Sequence, residues 1–360
     1  MTVALNRFNL KVEMNVLGFL TRKLNLILAL LTAFLVVLAV ALFYWTTNVN
    51  EAVLIEQTLH REQVIARSGA LSIESFLKLV SKSLLQTAYF ISEADQPSED
   101  ILSDFVSGWA DTPVTGTVLT DEDGVVQINI NKISKPEVGT LLANRPYFIW
   151  AKEAARGKVY VSEPIVSRLG ASKGQSIITI STPIVQNAGF RGVLVVSVLL
   201  KDLTSDYLDP LKISERTQVN LLDSDGNFLH FNYLSGVNFP ASERLVSLLK
   251  ERLKSAKEGK VNVTYPDIDG TLRRYLVAYA PINYANKDWL LAISTPVDDA
   301  MAFYRPFSKT NRSTLAIFVL VVLAFAIFTI VLVRIAQKDA FARGYNRASW
   351  PKKAKIKQRR

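Results

Sequence analysis

Cysteine is absent from the chain, and histidine occurs only twice, at His60 and His230. Without cysteine there is no disulfide, no thiolate nucleophile, no Cys-ligated zinc and no lipid on an N-terminal cysteine. Any part outside the cytoplasm must therefore hold together by packing alone. Neither histidine has a partner at metal-ligand or triad spacing, so both read as structural. The Walker A loop, the G-x-S-x-G elbow and H-E-x-x-H are also missing. The sequence thus implies no cofactor, no metal and no catalytic site.

Charge is missing from two long stretches, 26–45 (LILALLTAFLVVLAVALFYW) and 313–333 (STLAIFVLVVLAFAIFTIVLV). At about 1.5 Å per residue each spans the roughly 30 Å hydrocarbon layer, which predicts two transmembrane helices. The triplet Ala39-Val40-Ala41 resembles a signal-peptidase site, but the apolar run continues to an aromatic Tyr44-Trp45 border of the kind found at membrane interfaces. Charge then sets the orientation. Residues 1–23 carry +3, residues 334–360 carry +9, and the chain total is +10, which leaves the intervening segment at −2. Both termini are expected in the cytoplasm and residues 46–312 outside the membrane. Arg305, Lys309 and Arg312 oppose this and are outnumbered.

Between the spans the pattern is first helical. Ile73, Phe76, Leu77, Val80 and Leu84 recur at three- and four-residue steps among Glu74, Lys78 and Lys82, which predicts an amphipathic helix over about 51–92. Its apolar side serves a homodimeric coiled coil, packing against its own domain, or both on different faces. From Gly116 the period becomes two. Val126, Ile128 and Ile130 alternate with polar residues after Asp121-Glu122-Asp123-Gly124, and long strands follow at 176–185 and 192–200. The chain then echoes itself, LTDEDGVVQIN (119–129) in LLDSDGNFLHFN (221–232), and TPIVQNAGFRGVLVVSV (182–198) in APINYANKDWLLAISTPV (280–297). Two tandem α+β units explain the echo. The acidic Asp-Gly turns lack the spacing of a calcium loop and read as turn chemistry.

The expected organisation is a cytoplasmic N-terminus at 1–25, a span at 26–45 and a long helix at 46–95. Two antiparallel-sheet modules follow at 96–203 and 204–300, then a span at 313–333 and a basic tail at 334–360. The tail ends in PKKAKIKQRR, a cluster suited to anionic lipid headgroups in preference to nucleic acid, or to a solvated orientation signal.

A membrane helix, a long outer helix, two tandem α+β units, a second membrane helix and the stretch RPYFIWAKEAARGKVYVSEP (145–164) together resemble the double Cache family of bacterial sensor domains, over residues 46–300. The resemblance implies PAS-like folds and a ligand in the membrane-distal unit. Amino-acid-binding members use a pattern like R-x-W-Y, then a tyrosine, then a strand aspartate for the ammonium group. Matching positions here are Arg145, Tyr147, Phe148 and Tyr160, with Ser197 at or near the aspartate position. The implied site is Arg145 for a carboxylate, Tyr147 and Phe148 as wall, Tyr160 as hydroxyl donor, and Ser181 and Ser197 opposite. Trp150 and Ala154 are expected to face the core. The alternative is that Arg145 pairs with Glu153 or Glu163 while the rings fill the core.

The leading functional reading is a membrane-anchored sensor of a small molecule, an organic acid anion without an ammonium group. The 27 residues beyond Val333 are too few for a folded output domain, so a signalling partner in trans is expected. The alternatives are a cell-surface ligand-binding or scaffold protein without signal transfer and, last, an extracytoplasmic enzyme.

Overall fold

The computed structural model describes residues 2–93, 99–133, 137–187, 189–231, 247–252, 257–267, 270–302 and 305–349. The basic cluster at 351–360 and the helix-to-module boundary expected at 95/96 lie outside these residues. The chain divides into two compact units, one of residues 1–53 with 303–360 and one of residues 54–302.

The first unit is helical. It holds the beginning of α1 (Thr2–Glu93) and all of α5 (Arg305–Ser349). Both contain a stretch long and apolar enough to cross a membrane. Leu30, Phe34, Val37, Trp45, Leu320, Phe325 and Ile327 are exposed there, which separates these helices from the buried core helix of a soluble protein. Both are candidate membrane spans by length and composition.

The second unit is α+β. After α1 come α2 (Glu99–Ser107), β1 (Val114–Thr120), β2 (Val126–Asn131), α3 (Pro146–Glu153), β3 (Tyr160–Val161), β4 (Ile165–Val166), β5 (Ser176–Gln186), β6 (Gly189–Leu199) and α4 (Leu200–Tyr207). The second half contributes β7 (Gln218–Leu222), β8 (Phe228–Phe231), β9 (Gly259–Pro266), β10 (Leu272–Tyr284) and β11 (Lys287–Pro296). The strands form two antiparallel sheets, β2-β1-β6-β5-β3 with β4 also on β5, and β8-β7-β11-β10-β9.

The two halves share their turn chemistry. Asp121 Oδ1 accepts from the amides of Asp123 (3.0 Å) and Val125 (2.9 Å), and Oδ2 accepts from Gln127 Nε2 (2.7 Å). Asp223 repeats this with Asp225 (2.9 Å), Asn227 (2.7 Å) and Asn227 Nδ2 (3.0 Å). The glycine that follows lies at φ +83° (Gly124) or +76° (Gly226), the left-handed region where a side chain is strained. These carboxylates are occupied by turn amides, as the sequence reading expected.

One face of α1 carries Ala66, Ala70, Ile73, Leu77, Val80, Leu84, Ala88 and Ile91 into a common core. Ile178, Ile180, Leu194, Val196 and Val198 meet it from the first sheet, and Val219, Leu221, Ala278, Leu291 and Ile293 from the second. Strand alternation therefore turns the other residues of β5, β6, β7 and β11 to the opposite face. A smaller core covers that outer face of each sheet, around Phe148, Val118, Val193 and Val195 in the first and around Tyr265, Tyr275, Leu290 and Ala292 in the second. The helix approaches the second sheet closely at Gly69, where a Cβ would lie 2.4 Å from Leu211 Cδ1 and 2.8 Å from Leu291 Cδ2.

Candidate functional site

The site is built at the start of α3. Arg145 precedes Pro146, and the proline ring pushes its neighbour into extended backbone, here φ −81° and ψ 140°. Proline at the first helical position costs nothing, because that amide has no partner within the helix. The Arg145 carbonyl opens the helix by accepting from the Phe148 and Ile149 amides, both at 3.0 Å. Its side chain is thereby released from the helix surface. Nη2 reaches across to β4 and donates to the Val166 carbonyl at 2.8 Å.

A cavity of about 30 Å³ lies between α3 and the outer face of the first sheet, lined by Arg145, Tyr147, Arg168, Thr179, Ser197 and apolar neighbours that include Leu142 and Leu169. Arg145 and Arg168 bring two guanidinium groups to it. Arg168 Nη1 donates to Asn144 Oδ1 at 2.9 Å, and among the described residues neither arginine is in an ion pair. Partial burial, and then the charge of Arg168, lower the pKa of Arg145. Burial pushes the Tyr147 hydroxyl up to about 12, so it stays a donor at neutral pH, although the two arginines pull the other way. Thr179 is 1% exposed and its hydroxyl has no partner among the described residues. Among the described residues, none that lines the cavity is acidic.

The six residues expected from the sequence occupy different places. Arg145, Tyr147 and Ser197 line the cavity. Phe148 is fully buried and meets Phe190 edge-on at 5.8 Å. Tyr160 is Ser181's partner across β3 and β5, and its ring lies against Trp150 at 5.2 Å with Lys287 Nζ 5.7 Å from its centroid. Burial, and then Glu163, raise the pKa of Tyr160. Ser181 is fully buried and its Oγ has no partner. Trp150 is half-buried, and Ala151 takes the buried position expected for Ala154.

Neither carboxylate suggested for Arg145 holds it. Glu163 pairs with Lys287 at 2.5 Å, and Glu153 is exposed. Arg168 and Thr179 went unrecognised in the sequence. Arg168 could have been noticed as a second arginine just after the Y-V-S-E-P strand, whereas Thr179 has no local signal.

The Cache domain family model matches residues 50–303. No curated protein matches the chain. Among solved structures, the ligand-binding domain of the Campylobacter jejuni chemoreceptor Tlp3 with 4-methylisoleucine shares 16% identity at a TM-score of 0.52, over 69% of this chain and 94% of that one. The extracellular domain of the putative histidine kinase rpHK1S-Z16 shares 16% identity at a TM-score of 0.50, over 68% and 94%. These likenesses establish the fold alone. With the family match over most of its length and a candidate span on either side of the matched domain, the chain belongs to the double Cache family of extracytoplasmic sensor domains.

Proposed function

We propose that this protein is a membrane-anchored extracytoplasmic sensor that binds a small organic anion between α3 and the first sheet, in the module farther from the membrane. Occupancy would be passed through the membrane helices to a partner protein. The observation that carries the reading is the pair of guanidinium groups, Arg145 and Arg168, lining a cavity with no acidic residue. A guanidinium fork matches a carboxylate bidentately, and partial burial strengthens the attraction. Tyr147 adds a hydroxyl donor, and Thr179 has hydrogen-bonding capacity to spare.

The lining also narrows the ligand. The Tlp3 domain was solved with 4-methylisoleucine, which carries an ammonium group; here nothing acidic faces the cavity to meet one. At about 30 Å³ the space matches one water molecule and is far below the roughly 300–1,000 Å³ of a typical small-molecule site. Even the smallest carboxylate therefore requires Leu142 or Leu169 to yield as it enters.

The test is the melting temperature of the full chain in nanodiscs with formate, acetate, propionate, lactate and L-valine. Binding only the folded state raises stability by RT ln(1 + [L]/Kd). A carboxylate should raise the melting temperature of the parent and leave that of Arg145→Ala unmoved. The unliganded variant should lose about 1 kcal/mol or less, because it gives up one partly exposed hydrogen bond. Collapse of the variant without ligand, with no acid shifting the parent, makes Arg145 a packing residue.

A further inference from the structure

We propose that the outer face of the second sheet is a second small-molecule site, which takes an uncharged ligand with a donor beside an acceptor, as on an amide edge, and holds it through Asn220, Ser294 and Gln218.

Register places these residues. Counted from the hairpin end, with the one-residue bulge of β6 allowed for, the eighth pair of β5 and β6 is Thr179 with Ser197, and the eighth pair of β10 and β11 is Val277 with Ser294. On the neighbouring strand Ser197 faces Gly116, and Ser294 faces Gln218. Two residues back along the central strand, Val195 faces Val118 and Ala292 faces Asn220. Asn220 thus holds in the second sheet the place that Val118 holds beside the first cavity. Gln218, Asn220 and Ser294 alternate with Val219, Leu221 and Ile293 of the α1-facing core, so they share the outer face with Leu222, Leu290 and Ala292.

Burial makes the polar side chains informative. Asn220 is fully buried, yet among the described residues neither Oδ1 nor Nδ2 has a hydrogen-bond partner, and the same holds for Ser294 Oγ. Gln218 is 4% exposed. Valine fills the equivalent place in the first sheet, so packing does not require an amide here. A buried amide with both ends unanswered is costly, and it is relieved by a group that donates and accepts at once. Two carboxylates of this half are already committed: Asp223 receives its turn amides, and Asp267 pairs with Arg273 at 2.9 Å. The stacked rings of Tyr265 and Tyr275, 4.0 Å apart, belong to the same apolar cluster. A neutral ligand with flat apolar surface suits these surroundings.

Uracil and nicotinamide are suitable probes, with acetate as the ionic control, titrated calorimetrically into the full chain in nanodiscs. The expected result is that uracil or nicotinamide binds the parent and Arg145→Ala alike, and at least about tenfold more weakly to Asn220→Val and to Ser294→Ala. Asn220→Val restores the residue type of the first sheet, so its melting temperature should equal or exceed the parent's; Ser294→Ala decides the matter if that variant does not fold. The proposal is overturned if neither probe binds the parent at about 10 mM, or if both variants bind as the parent does. Higher stability of Asn220→Val with no probe binding to the parent means that the amide holds water only. Because Arg145→Ala is expected to keep this site, failure of the anion site and failure of this one are separate results.

Discussion

Asn286 answers both backbone groups of Val161. Its Oδ1 accepts from the Val161 amide at 2.8 Å and its Nδ2 donates to the Val161 carbonyl at 3.0 Å. Val161 lies on β3, at the edge of the first sheet, and Asn286 is in the tight turn between β10 and β11 of the second. Lys287, next in the chain, pairs with Glu163 and lies by the ring of Tyr160. The edge strand of one sheet is thus pinned to the hairpin tip of the other.

Asn286→Ala should strip both groups of their partner. An unanswered buried polar group costs about 1–3 kcal/mol. The variant should melt several degrees lower, and the Val161 amide should exchange with deuterium at least about tenfold faster than in the parent. Unchanged exchange at Val161 means that the link contributes nothing.

Glu62 predicts a pH dependence. It lies on α1 beyond the apolar run and is fully buried. Burial raises its pKa from 4.5 to about 8, with Thr295 on β11 and Arg61 on the same helix pulling weakly the other way. Between those values the folded chain keeps a proton that the unfolded chain has released. Stability is therefore full below about pH 4.5 and falls as pH rises towards 8, by at most about 1.4 kcal/mol per unit. Melting temperatures of Glu62→Gln should be flatter than the parent's over this range and higher at its upper end. Parallel curves for the two proteins exclude Glu62 as the source.

What was legible in the sequence was local or periodic. The apolar runs, the stripe from Ile73 to Leu84 and the repeated Asp-Gly turns each lie within a few neighbouring residues, so the two long apolar helices, α1 and the repeated turns could be read directly. Arg145 was reached through the family resemblance of the stretch 145–164. Tyr147 and Ser197 came with the same resemblance, but Arg168 and Thr179 did not, because they meet Arg145 only through the register of β4, β5 and β6, and a bulge between Ile184 and Val185 shifts that register by one. α3 is also too short for periodicity to sort its faces: it ends at Glu153, so the helical spacing that would bury Ala154 stops one residue early.

Gly192 should tolerate no side chain. Its φ is +141°, and a Cβ there would lie 1.9 Å from the Thr120 carbonyl oxygen in the neighbouring strand β1. The obstacle is backbone, which cannot swing aside. Gly192→Ala combines that overlap with a strained φ and should cost about 3 kcal/mol or more. A loss below about 1 kcal/mol in chemical denaturation would show that β1 and β6 can part there without penalty.

The outward side of α1 predicts a homodimer. While Ala66, Ala70, Ile73 and Leu77 face the domain core, Val64, Leu71, Leu79 and Phe90 remain 46%, 53%, 59% and 51% exposed. They follow at steps of seven, eight and eleven residues, each within about a quarter turn of a whole number of helical turns, so they form one stripe opposite the buried one. An apolar stripe on a helix that continues from a candidate membrane span is covered most simply by the same stripe of a second copy, since anchored chains would be confined to one plane. The absence of cysteine makes the test clean. Val64→Cys, Leu71→Cys and Leu79→Cys should each form a disulfide-linked dimer in membranes under mild oxidation, and the exposed Lys201→Cys should not. Replacement of Leu71 and Leu79 together by Glu should shift the protein towards monomer while leaving its melting largely intact, because neither side chain belongs to the core. Equal cross-linking at Lys201 and on the stripe, or a dimer indifferent to the two glutamates, removes α1 as the interface.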